Sequence, residues 1–297
     1  MSLSGRLIVI GTGLIGGSVA LAAREQGYAG HVIGVDADRT ALERGMALGV
    51  FDDSGMPANP GPDDLILIAV PTLAVPGVLQ ELAAADGGFA GGAVVTDAAS
   101  VKGSVVAAAR DLPGGMPERF VPGHPIAGSE RSGVTAARAG LFRDHRVLLT
   151  PAAGTDPAAL ARVRDLWTAV GAEVLEMETA AHDRVLAMTS HLPHLLAYAL
   201  VDTLGRQPEH EEIFRFAAGG FRDFTRIASS DPVMWGDIFS ANADAVISIL
   251  DRLTDDLARL RGLLAQGDRT ALLEAFTRAK RLRDDHVANP GVDHDRN

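Results

Sequence analysis

Three glycines near the start of the chain constrain its fold more strongly than any other feature. They lie in the segment Gly11 to Gly16, which directly follows an apolar run, Leu7 to Ile10, and leads into a helix-like stretch, Ser18 to Arg24. In a strand, turn and helix of this kind, one glycine permits the tight turn, one lets a pyrophosphate approach the backbone, and one lets the helix pack closely on the strand. The phosphates lie at the helix N-terminus, where free N–H groups favour anions. The predicted dinucleotide contacts are Gly11, Gly13, Leu14, Ile15 and Gly16.

A carboxylate after the next apolar run indicates which dinucleotide binds. The run His31 to Val35 is followed by Asp36, 20 residues beyond Gly16, where a carboxylate accepts hydrogen bonds from the adenosine ribose hydroxyls. The same charge would repel the extra 2′-phosphate of NADP, so NAD is the predicted cofactor and NADP is less favoured. Arg39 is either a partner for that phosphate or a solvated charge in the first turn of a helix. The predicted cofactor site is completed by Val70 and Pro71.

Composition limits the class of protein. The chain has 297 residues, 47% of them hydrophobic and 22% charged, which is enough for two moderate domains. A formal net charge of −11 argues against a nucleic-acid or anionic-membrane partner, so an anionic substrate must be held by a local cluster of positive groups. The chain has no cysteine, which excludes disulfides, thiolate metal sites and cysteine nucleophiles.

The N-terminal segment, Leu3 to Ala23, is apolar enough to resemble a secretion signal, but its glycines fit a strand, turn and helix better. No other stretch of the sequence reaches the ~18 uninterrupted apolar residues that a membrane-spanning helix needs. We therefore expect a cytoplasmic protein.

Short apolar runs alternate with helix-like segments up to Met177, which predicts a mostly parallel sheet covered by helices on both faces. The later predicted strands are Leu65 to Val70, Ala93 to Thr96, Arg119 to Val121, Arg146 to Thr150 and Glu173 to Met177. The predicted helices between them are Leu73 to Ala84, Lys102 to Arg110 and Pro157 to Val170. The fold class is therefore α/β, with a Rossmann-type, doubly wound dinucleotide-binding domain over residues 1–177.

Residues 178–297 are predicted to form an all-α second domain. Its candidate helices are Ala181 to Leu204, Glu209 to Ala218, Pro232 to Ala265 and Arg269 to His286. An apolar stripe runs along the third of these from Ile238 through Asn242 to Leu264, repeating every three or four residues. Such a stripe buries against other helices, and part of so long a stripe is expected to meet a second subunit. The pattern predicts a homodimer.

Of the nine histidines, His124 best fits the base that an alcohol-oxidising dinucleotide enzyme needs. It follows a strand of the nucleotide domain, and ligands bind at the carboxyl ends of such strands. Its neighbours should prevent helix or strand around it, which predicts an exposed loop; these neighbours are Pro122, Gly123, Pro125 and Gly128. The alternative is a histidine that is only hydrogen-bonded within a rigid turn.

Ser100 also allows two interpretations, which are compatible with each other. It hydrogen-bonds the base or the substrate hydroxyl, or it caps a helix that begins at Val101. His191 and His194 have an i, i+3 spacing that can indicate a metal, but no third ligand is recognisable and no metal is predicted.

Two arginines are candidates for holding an anion. Arg222 and Arg226 lie four residues apart, so both reach one site if the stretch is helical, and a guanidinium binds a carboxylate bidentately. The alternative is that Asp223 pairs with one of them on the surface.

Taken together, five segments make the chain resemble the prephenate dehydrogenase family, the prephenate and arogenate dehydrogenases of tyrosine biosynthesis. In chain order they are GTGLIGGS, TDAASVK, GHPIAGSERSG, SHLPHLLAYAL and FRDFTRIASSDPVMW. The last three are not general features of nucleotide-binding folds, and the resemblance runs from about Leu7 to Leu260. It implies a Rossmann-type domain, a helical dimerisation domain and an active site in a cleft between them. The implied reaction is the NAD-dependent oxidative decarboxylation of prephenate to 4-hydroxyphenylpyruvate.

The resemblance also implies a role for each matching residue. His124 would take the proton from the ring hydroxyl as hydride leaves the same carbon, and Ser100 would orient both groups. Arg226 would bind a substrate carboxylate. The other substrate contacts would be Asp223 and Glu130 as an ionic gate, His194 at the substrate side chain, and Trp235. Because the base works only when neutral, activity is expected to fall below about pH 6 to 6.5.

Three alternatives remain open. An arogenate dehydrogenase acts on a substrate with an ammonium in place of the keto group, and Glu130 or Asp223 could bind that ammonium. A β-hydroxyacid dehydrogenase uses a lysine, for which Lys102 is the candidate, but the HPIAG segment would then be unexplained. A catalytically silent NAD-binding sensor or scaffold is disfavoured by the intact base, serine and arginine. Neither a chorismate mutase domain nor an ACT regulatory domain is expected.

Overall fold

A computed structural model of the chain describes residues 2–84, 89–129 and 131–286. The predicted strands form within two residues of the expected bounds. The strands are β1 (Leu7–Ile10), β2 (Val32–Val35), β3 (Asp53–Ser54), β4 (Leu65–Ile68), β5 (Val94–Asp97), β6 (Phe120–Val121), β7 (Gly123–Pro125), β8 (Arg146–Leu149) and β9 (Glu173–Glu176). Strands β1, β4 and β5 are buried along their whole length, whereas β9 is largely exposed. Two short strands, β3 and β7, have no counterpart among the predicted ones.

Strands β1 to β6 form a parallel sheet in the order β3-β2-β1-β4-β5-β6. This is the order of a Rossmann fold, in which the chain reverses its direction of travel across the sheet between β1 and β4. The alternate residues of β1 enter two separate cores: Leu7 and Val9 pack with residues of helices on one face, and Ile8 and Ile10 with residues of helices on the other. The prediction of a doubly wound, mostly parallel sheet is confirmed.

A second sheet lies directly after the first along the chain. It contains three strands in the order β7-β8-β9, with β7 antiparallel to β8 and β9 parallel to it. Its first strand contains His124, which is paired with Leu148. The prediction of a loop at this position is therefore wrong: Pro125 and Gly123 shorten the strand to three residues but do not prevent it, since a proline at a strand end costs few ladder hydrogen bonds.

Helices connect most of the strands of the sheet. After β9, all the regular secondary structure of the described residues is helical. They are α1 (Leu14–Glu25), α2 (Arg39–Ala47), α3 (Val75–Ala84), α4 (Lys102–Arg110), α5 (Pro157–Ala169), α6 (Thr179–Leu186), α7 (Leu192–Gly205), α8 (His210–Arg215), α9 (Gly219–Thr225), α10 (Pro232–Ala241), α11 (Ala243–Gln266) and α12 (Arg269–His286). Helix α1 begins four residues before the predicted start, so the third glycine of the fingerprint lies inside it. The predicted helical region after the sheet is confirmed.

Two predicted helices are each interrupted. The stretch predicted as one helix from Ala181 to Leu204 contains a π-helical turn, Ala187–His191, between α6 and α7. The stretch from Pro232 to Ala265 is two helices, because Asn242 leaves helical geometry at the end of α10 and its side-chain amide donates hydrogen bonds to other parts of the fold. His191 at the first interruption and Asn242 at the second are both buried. Single π-helical turns within α-helices are frequent at functional sites.

The chain forms two compact units, residues 1–246 and 247–297. All described catalytic and binding candidates belong to the first unit. The second unit contains most of α11 and α12, and it exposes several large apolar side chains, namely Leu257, Leu264, Leu273, Phe276 and Leu282. No single helix of the described residues is long and apolar enough to cross a membrane, although α10 and α11 pass that test together as a bent pair.

Candidate active site

The glycine turn after β1 has the shape that a dinucleotide phosphate needs. Gly11 has a φ of +99°, and a Cβ there would overlap the carbonyl oxygen of Ala69. A Cβ on Gly16 would overlap the Gly11 carbonyl and lie 2.7 Å from a Val9 methyl group. Gly13, by contrast, faces open space, and no side chain caps the helix that begins after it. The turn therefore leaves room for a pyrophosphate at the start of α1, where Leu14 and Ile15 form the first turn.

Asp36 lies at the end of β2 and is tied to this turn. Its Oδ2 accepts hydrogen bonds from the backbone N–H of Thr12 at 2.6 Å and from the Thr12 hydroxyl at 2.7 Å, while Oδ1 accepts one from the Asp38 N–H at 2.9 Å. The carboxylate is thereby fixed beside the fingerprint. Arg39 begins α2 and pairs with Glu43 at 2.9 Å as an exposed surface pair, as its description as a solvated charge predicts.

Val70 and Pro71 follow β4, next to the glycine turn. A Cβ built on Gly11 would lie 2.9 Å from the Val70 nitrogen, so this segment packs directly against the glycine turn. A 3-10 turn, Thr72–Ala74, comes next and packs against α10, which carries Trp235. The sequence segment predicted to line the cofactor site thus adjoins a helix predicted to line the substrate site.

His124 is buried, with only 8% of its surface exposed. Its Nδ1 lies 2.9 Å from Nε2 of His182, and Nδ1 of His182 lies 2.7 Å from Oδ1 of Asp183. Helix α6 supplies both partners. The description of His124 as a histidine on an exposed loop is wrong, because strand pairing and α6 enclose it.

A buried ion pair contacts the residue that precedes His124. Lys102 and Asp97 are both fully buried; the lysine ammonium contacts the Asp97 carboxylate and donates a hydrogen bond to the Gly123 carbonyl at 2.6 Å. Asp97 in turn accepts the Gly123 N–H at 3.1 Å. The pair therefore holds both the N–H and the carbonyl of Gly123, the residue directly before the histidine. The Lys102 ammonium is occupied in holding this backbone, which disfavours the β-hydroxyacid dehydrogenase alternative.

A second group of aromatic and polar side chains surrounds Trp235. Its ring stacks on the His194 ring with centroids 3.6 Å apart and lies edge-on to His191 at 6.1 Å. The buried His191 also meets the side-chain amide of Asn242, with 3.1 Å between Nδ1 and Nδ2. The indole N–H of Trp235 is buried and has no hydrogen-bond partner within the described residues. A buried donor without a partner is costly unless a ligand accepts its hydrogen bond.

Ser100 lies directly before Val101, which packs in one small core with Trp235 and Ile238. Helix α4 begins at Lys102 and its N-cap residue is Val101, whose side chain makes no capping hydrogen bond. The alternative in which Ser100 caps the helix is therefore wrong. Within the described residues, no hydrogen bond joins Ser100 to His124, whose Nδ1 is paired with His182 instead.

The arginine segment is exposed and only partly helical. Asp223 lies in α9, which ends at Thr225, and Arg226 begins a 3-10 turn that runs to Ser229. This turn packs against α7, the helix that carries His194, and the Tyr198 hydroxyl of α7 donates to the Ser230 carbonyl at 2.7 Å. Both Arg226 and Asp223 are exposed. Glu130, the predicted partner of Asp223, lies outside the described residues.

Burial lowers the pKa of three histidines of the site. Burial lowers the pKa of His124 well below its usual value, and the nearby His182, Lys102 and His191 lower it further. Burial also lowers the pKa of His191, to about 4, and that of His194. A neutral imidazole is the form that accepts a proton, so the electrostatics of the site suit a base.

Comparison with known proteins identifies the family to which this site belongs. A family model of the prephenate dehydrogenase nucleotide-binding domain matches residues 19–176, and a model of the prephenate dehydrogenase dimerization domain matches residues 178–278. The chain belongs to the prephenate dehydrogenase family. The resemblance that the sequence motifs indicate is confirmed.

Members of this family align with almost the whole length of the chain. The chain is 36% identical to the cyclohexadienyl dehydrogenase of Zymomonas mobilis, with 98% of this chain and 100% of the relative covered. It is 37% identical to the prephenate dehydrogenase of Bacillus subtilis, with 94% and 75% covered. The crystal structure of prephenate dehydrogenase from Aquifex aeolicus in complex with hydroxyphenyl propionate and NAD+ superposes with a TM-score of 0.86, at 34% identity, over 96% of this chain and 99% of that one.

Sequence reasoning missed three residues that lie at this site: His182, Asp183 and Asn242. The signals were present but weak. His182 and Asp183 are adjacent polar residues near the start of an otherwise amphipathic helix, and Asn242 is a polar residue within an apolar stripe. Within the described residues, no cluster of potential metal ligands was found.

Proposed function

We propose that the chain catalyses the NAD-dependent oxidative decarboxylation of prephenate to 4-hydroxyphenylpyruvate, with release of carbon dioxide. The observation that carries this proposal is His124, a buried imidazole three residues after β6 of a nucleotide-binding sheet, where burial lowers its pKa well below the usual value. The similar Aquifex aeolicus enzyme was solved with NAD+ and a hydroxyphenyl compound, which supports the same pairing of cofactor and ring substrate here.

NAD+, when bound, accepts a hydride from the substrate. The residues proposed to hold it fit this role, since the open space at Gly13 and the uncapped start of α1 accommodate a pyrophosphate. Asp36 keeps acceptor capacity on Oδ1 for the ribose hydroxyls, and its charge disfavours a 2′-phosphate. The other proposed contacts are Gly11, Leu14, Ile15, Gly16, Val70 and Pro71.

His124 is proposed to remove the proton of the ring hydroxyl as the carbon that bears this hydroxyl loses its hydride. The ring carboxylate then leaves as carbon dioxide, the electrons of the broken carbon–carbon bond complete the aromatic ring, and the ring oxygen takes back a proton. Aromatisation and loss of carbon dioxide make the reaction effectively irreversible. Ser100, adjacent to the Trp235 core, is proposed to hydrogen-bond the hydroxyl.

The substrate's charged groups are proposed to meet α7, α9 and α10. Arg226 binds a carboxylate, because it is a guanidinium on a turn packed against the helix of His194. The unpaired indole N–H of Trp235 offers a further donor to an anion. Asp223, together with Glu130, is proposed to control access beside Arg226.

One observation favours arogenate as a second candidate substrate. Nδ1 of His194 lies 2.9 Å from the Ser190 carbonyl, which can only accept, so Nδ1 carries a proton. Burial lowers the pKa of His194, and its neutral form then presents Nε2 as an acceptor. An ammonium donates to such an acceptor, whereas the keto group of prephenate does not.

The same family membership supports three further proposals. The domain boundary lies at residues 177 and 178, the helical domain forms a homodimer, and the reaction takes place in the cytoplasm. The dimerization-domain match over residues 178–278 supports the first two. Sedimentation of the purified protein and fractionation of the source cells test the dimer and the location.

The decisive assay combines purified protein with prephenate or arogenate, each with NAD or NADP, and follows the absorbance of the reduced cofactor. We expect the highest kcat/KM with prephenate and NAD. A higher value with arogenate would make it the substrate, in line with the acceptor on His194. No reduced cofactor with either substrate would refute the proposed function.

A further inference from the structure

Two hydrogen bonds link the candidate base to a carboxylate on α6. The carboxylate of Asp183 lies 2.7 Å from Nδ1 of His182, and Nε2 of His182 lies 2.9 Å from Nδ1 of His124. His182 is completely buried and His124 nearly so, so water does not replace either partner. The three side chains therefore form a chain that leads from Asp183 to the imidazole of the candidate base.

If both histidines are neutral, the protons in this chain have one consistent arrangement. An ionised carboxylate only accepts hydrogen bonds, so Nδ1 of His182 must donate to Asp183. In a neutral imidazole the other nitrogen then accepts, so Nε2 of His182 takes a hydrogen bond from Nδ1 of His124. His124 consequently carries its proton on Nδ1 and its lone pair on Nε2. Only the Nε2 atom is left to act as a base.

Asp183 is held in place by a second set of donors. Its Oδ1 accepts the Lys102 N–H at 2.9 Å and its Oδ2 accepts the Gly103 N–H at 2.7 Å, so it caps α4 from 80 residues away along the chain. Gly103 leaves room for this approach, because a Cβ there would lie 2.6 Å from Oδ2. The side-chain amide of Asn242 also donates to the Asp183 carbonyl at 3.0 Å.

These donors also decide the charge of the carboxyl group. Burial raises the pKa of Asp183, but the hydrogen bonds from His182, Lys102 and Gly103 outweigh burial and lower it below its usual value. The group is therefore an ionised acceptor at neutral pH. The same carboxylate that caps the start of helix α4 thus also orients His182.

We propose that His182 and Asp183 are positioning residues that fix the Nδ1–H tautomer of His124 and so make Nε2 its basic atom. The tautomer itself does not depend on the substrate, whereas its use as a base rests on the proposed function. The arrangement corresponds in its logic to a triad aspartate, which holds a histidine in the tautomer that can accept the proton. Here a second histidine lies between the carboxylate and the base.

The test measures the tautomer directly, by ¹⁵N NMR of histidine side chains in the full-length protein at neutral pH. The His124 resonances are assigned by their loss in His124→Asn. We expect Nδ1 of His124 to carry the proton in the unaltered protein. A proton on Nε2 in that protein would overturn the proposal, and the folded variant is used only to assign the signals.

Two matched variants test the consequence for turnover. His182→Leu keeps roughly the volume but removes the acceptor for His124, and we expect loss of the single tautomer with a fall in kcat of about 10²- to 10⁴-fold and little change in KM. His182→Gln restores an acceptor, and we expect the Nδ1–H tautomer and most of kcat to return. Unaltered kcat in a folded His182→Leu, or no recovery in a folded His182→Gln, would overturn the proposal.

The two proposals fail in different ways. If the unaltered protein shows the Nδ1–H tautomer but forms no reduced cofactor with prephenate or arogenate, the proposed function fails and the positioning by His182 stands. If the protein is active but His124 is protonated on Nε2, the positioning inference fails and the proposed function stands.

Discussion

The part of the site that holds the base and the part that carries the arginine are built differently. His124, His182 and His191 are buried, with 8%, 0% and 1% of their surfaces exposed, and each is hydrogen-bonded to a neighbour. Arg226 and Asp223 are exposed on a turn and a short helix. The difference indicates that the proposed base is fixed in advance, while the guanidinium proposed to bind the substrate's carboxylate remains accessible to solvent.

Local structure explains this difference. His124 lies in a strand that is paired with β8, and its backbone is held by the Lys102–Asp97 pair. Helices α8 and α9 have six and seven residues and no side-chain cap at either N-terminus, so few local interactions fix them. A fixed base lowers the reorganisation needed for catalysis, whereas an accessible guanidinium can bind a charged substrate from solution.

The largest effect is expected from the buried part. His124→Asn removes the proton acceptor but keeps a polar side chain, so kcat should fall by about 10²- to 10⁴-fold while KM stays within about threefold. Steady-state kinetics with NAD and the preferred substrate measure both. His145→Asn serves as the control, because His145 is exposed and its ring is hydrogen-bonded to the nearby Arg143 carbonyl. A loss confined to KM would mean that His124 binds substrate instead of taking its proton.

A smaller effect is expected from the exposed part, and in the other kinetic constant. Arg226→Gln removes a charged hydrogen bond of about 1.5 to 3 kcal/mol, so kcat/KM should fall by about 10- to 100-fold, chiefly through KM. Arg222→Gln is the matched control, since Arg222 lies one helical turn earlier and donates to the Ala217 carbonyl. Equal losses in the two variants, or a loss in kcat alone, would contradict the distinction between the two parts.

The sequence was informative where chemistry and periodicity coincide. The apolar runs and the glycine fingerprint predict the sheet and the turn after β1, because the strands of a parallel sheet are buried on both faces and are therefore apolar along their length. The burial of His124 and its pairing with His182 could not be predicted, because they depend on contacts between residues 58 positions apart. The break at Asn242 could not be predicted for the same reason, because the hydrogen-bond partners of Asn242 lie on α6 and in the π-helical turn.

The cofactor end allows a third, weaker comparison. Asp36→Asn removes the negative charge but leaves an oxygen that can accept the Thr12 hydrogen bonds, so the fingerprint should keep its shape. We expect the ratio of kcat/KM for NAD over NADP to fall by about tenfold, equivalent to about 1.4 kcal/mol. Arg39→Gln, at an exposed pair with Glu43, should leave the ratio within twofold. An unchanged ratio in Asp36→Asn would show that specificity lies elsewhere.

The smallest effect is expected in the pH dependence, and it separates a buried base from an exposed one. An exposed histidine with a pKa near 6.5 would be mostly protonated at pH 6, and kcat/KM would be about fourfold lower there than at full deprotonation. Burial, together with His182, Lys102 and His191, places the pKa of His124 well below that range, so protonation begins only at lower pH. The expectation of a fall at pH 6 to 6.5 is therefore revised, and kcat/KM should change by less than about twofold between pH 7.5 and 6. This constant reports the free enzyme, in which the burial of His124 is observed. A fourfold fall over that interval would mean that water reaches His124 before the substrate does, and the contrast between the two parts of the site would disappear.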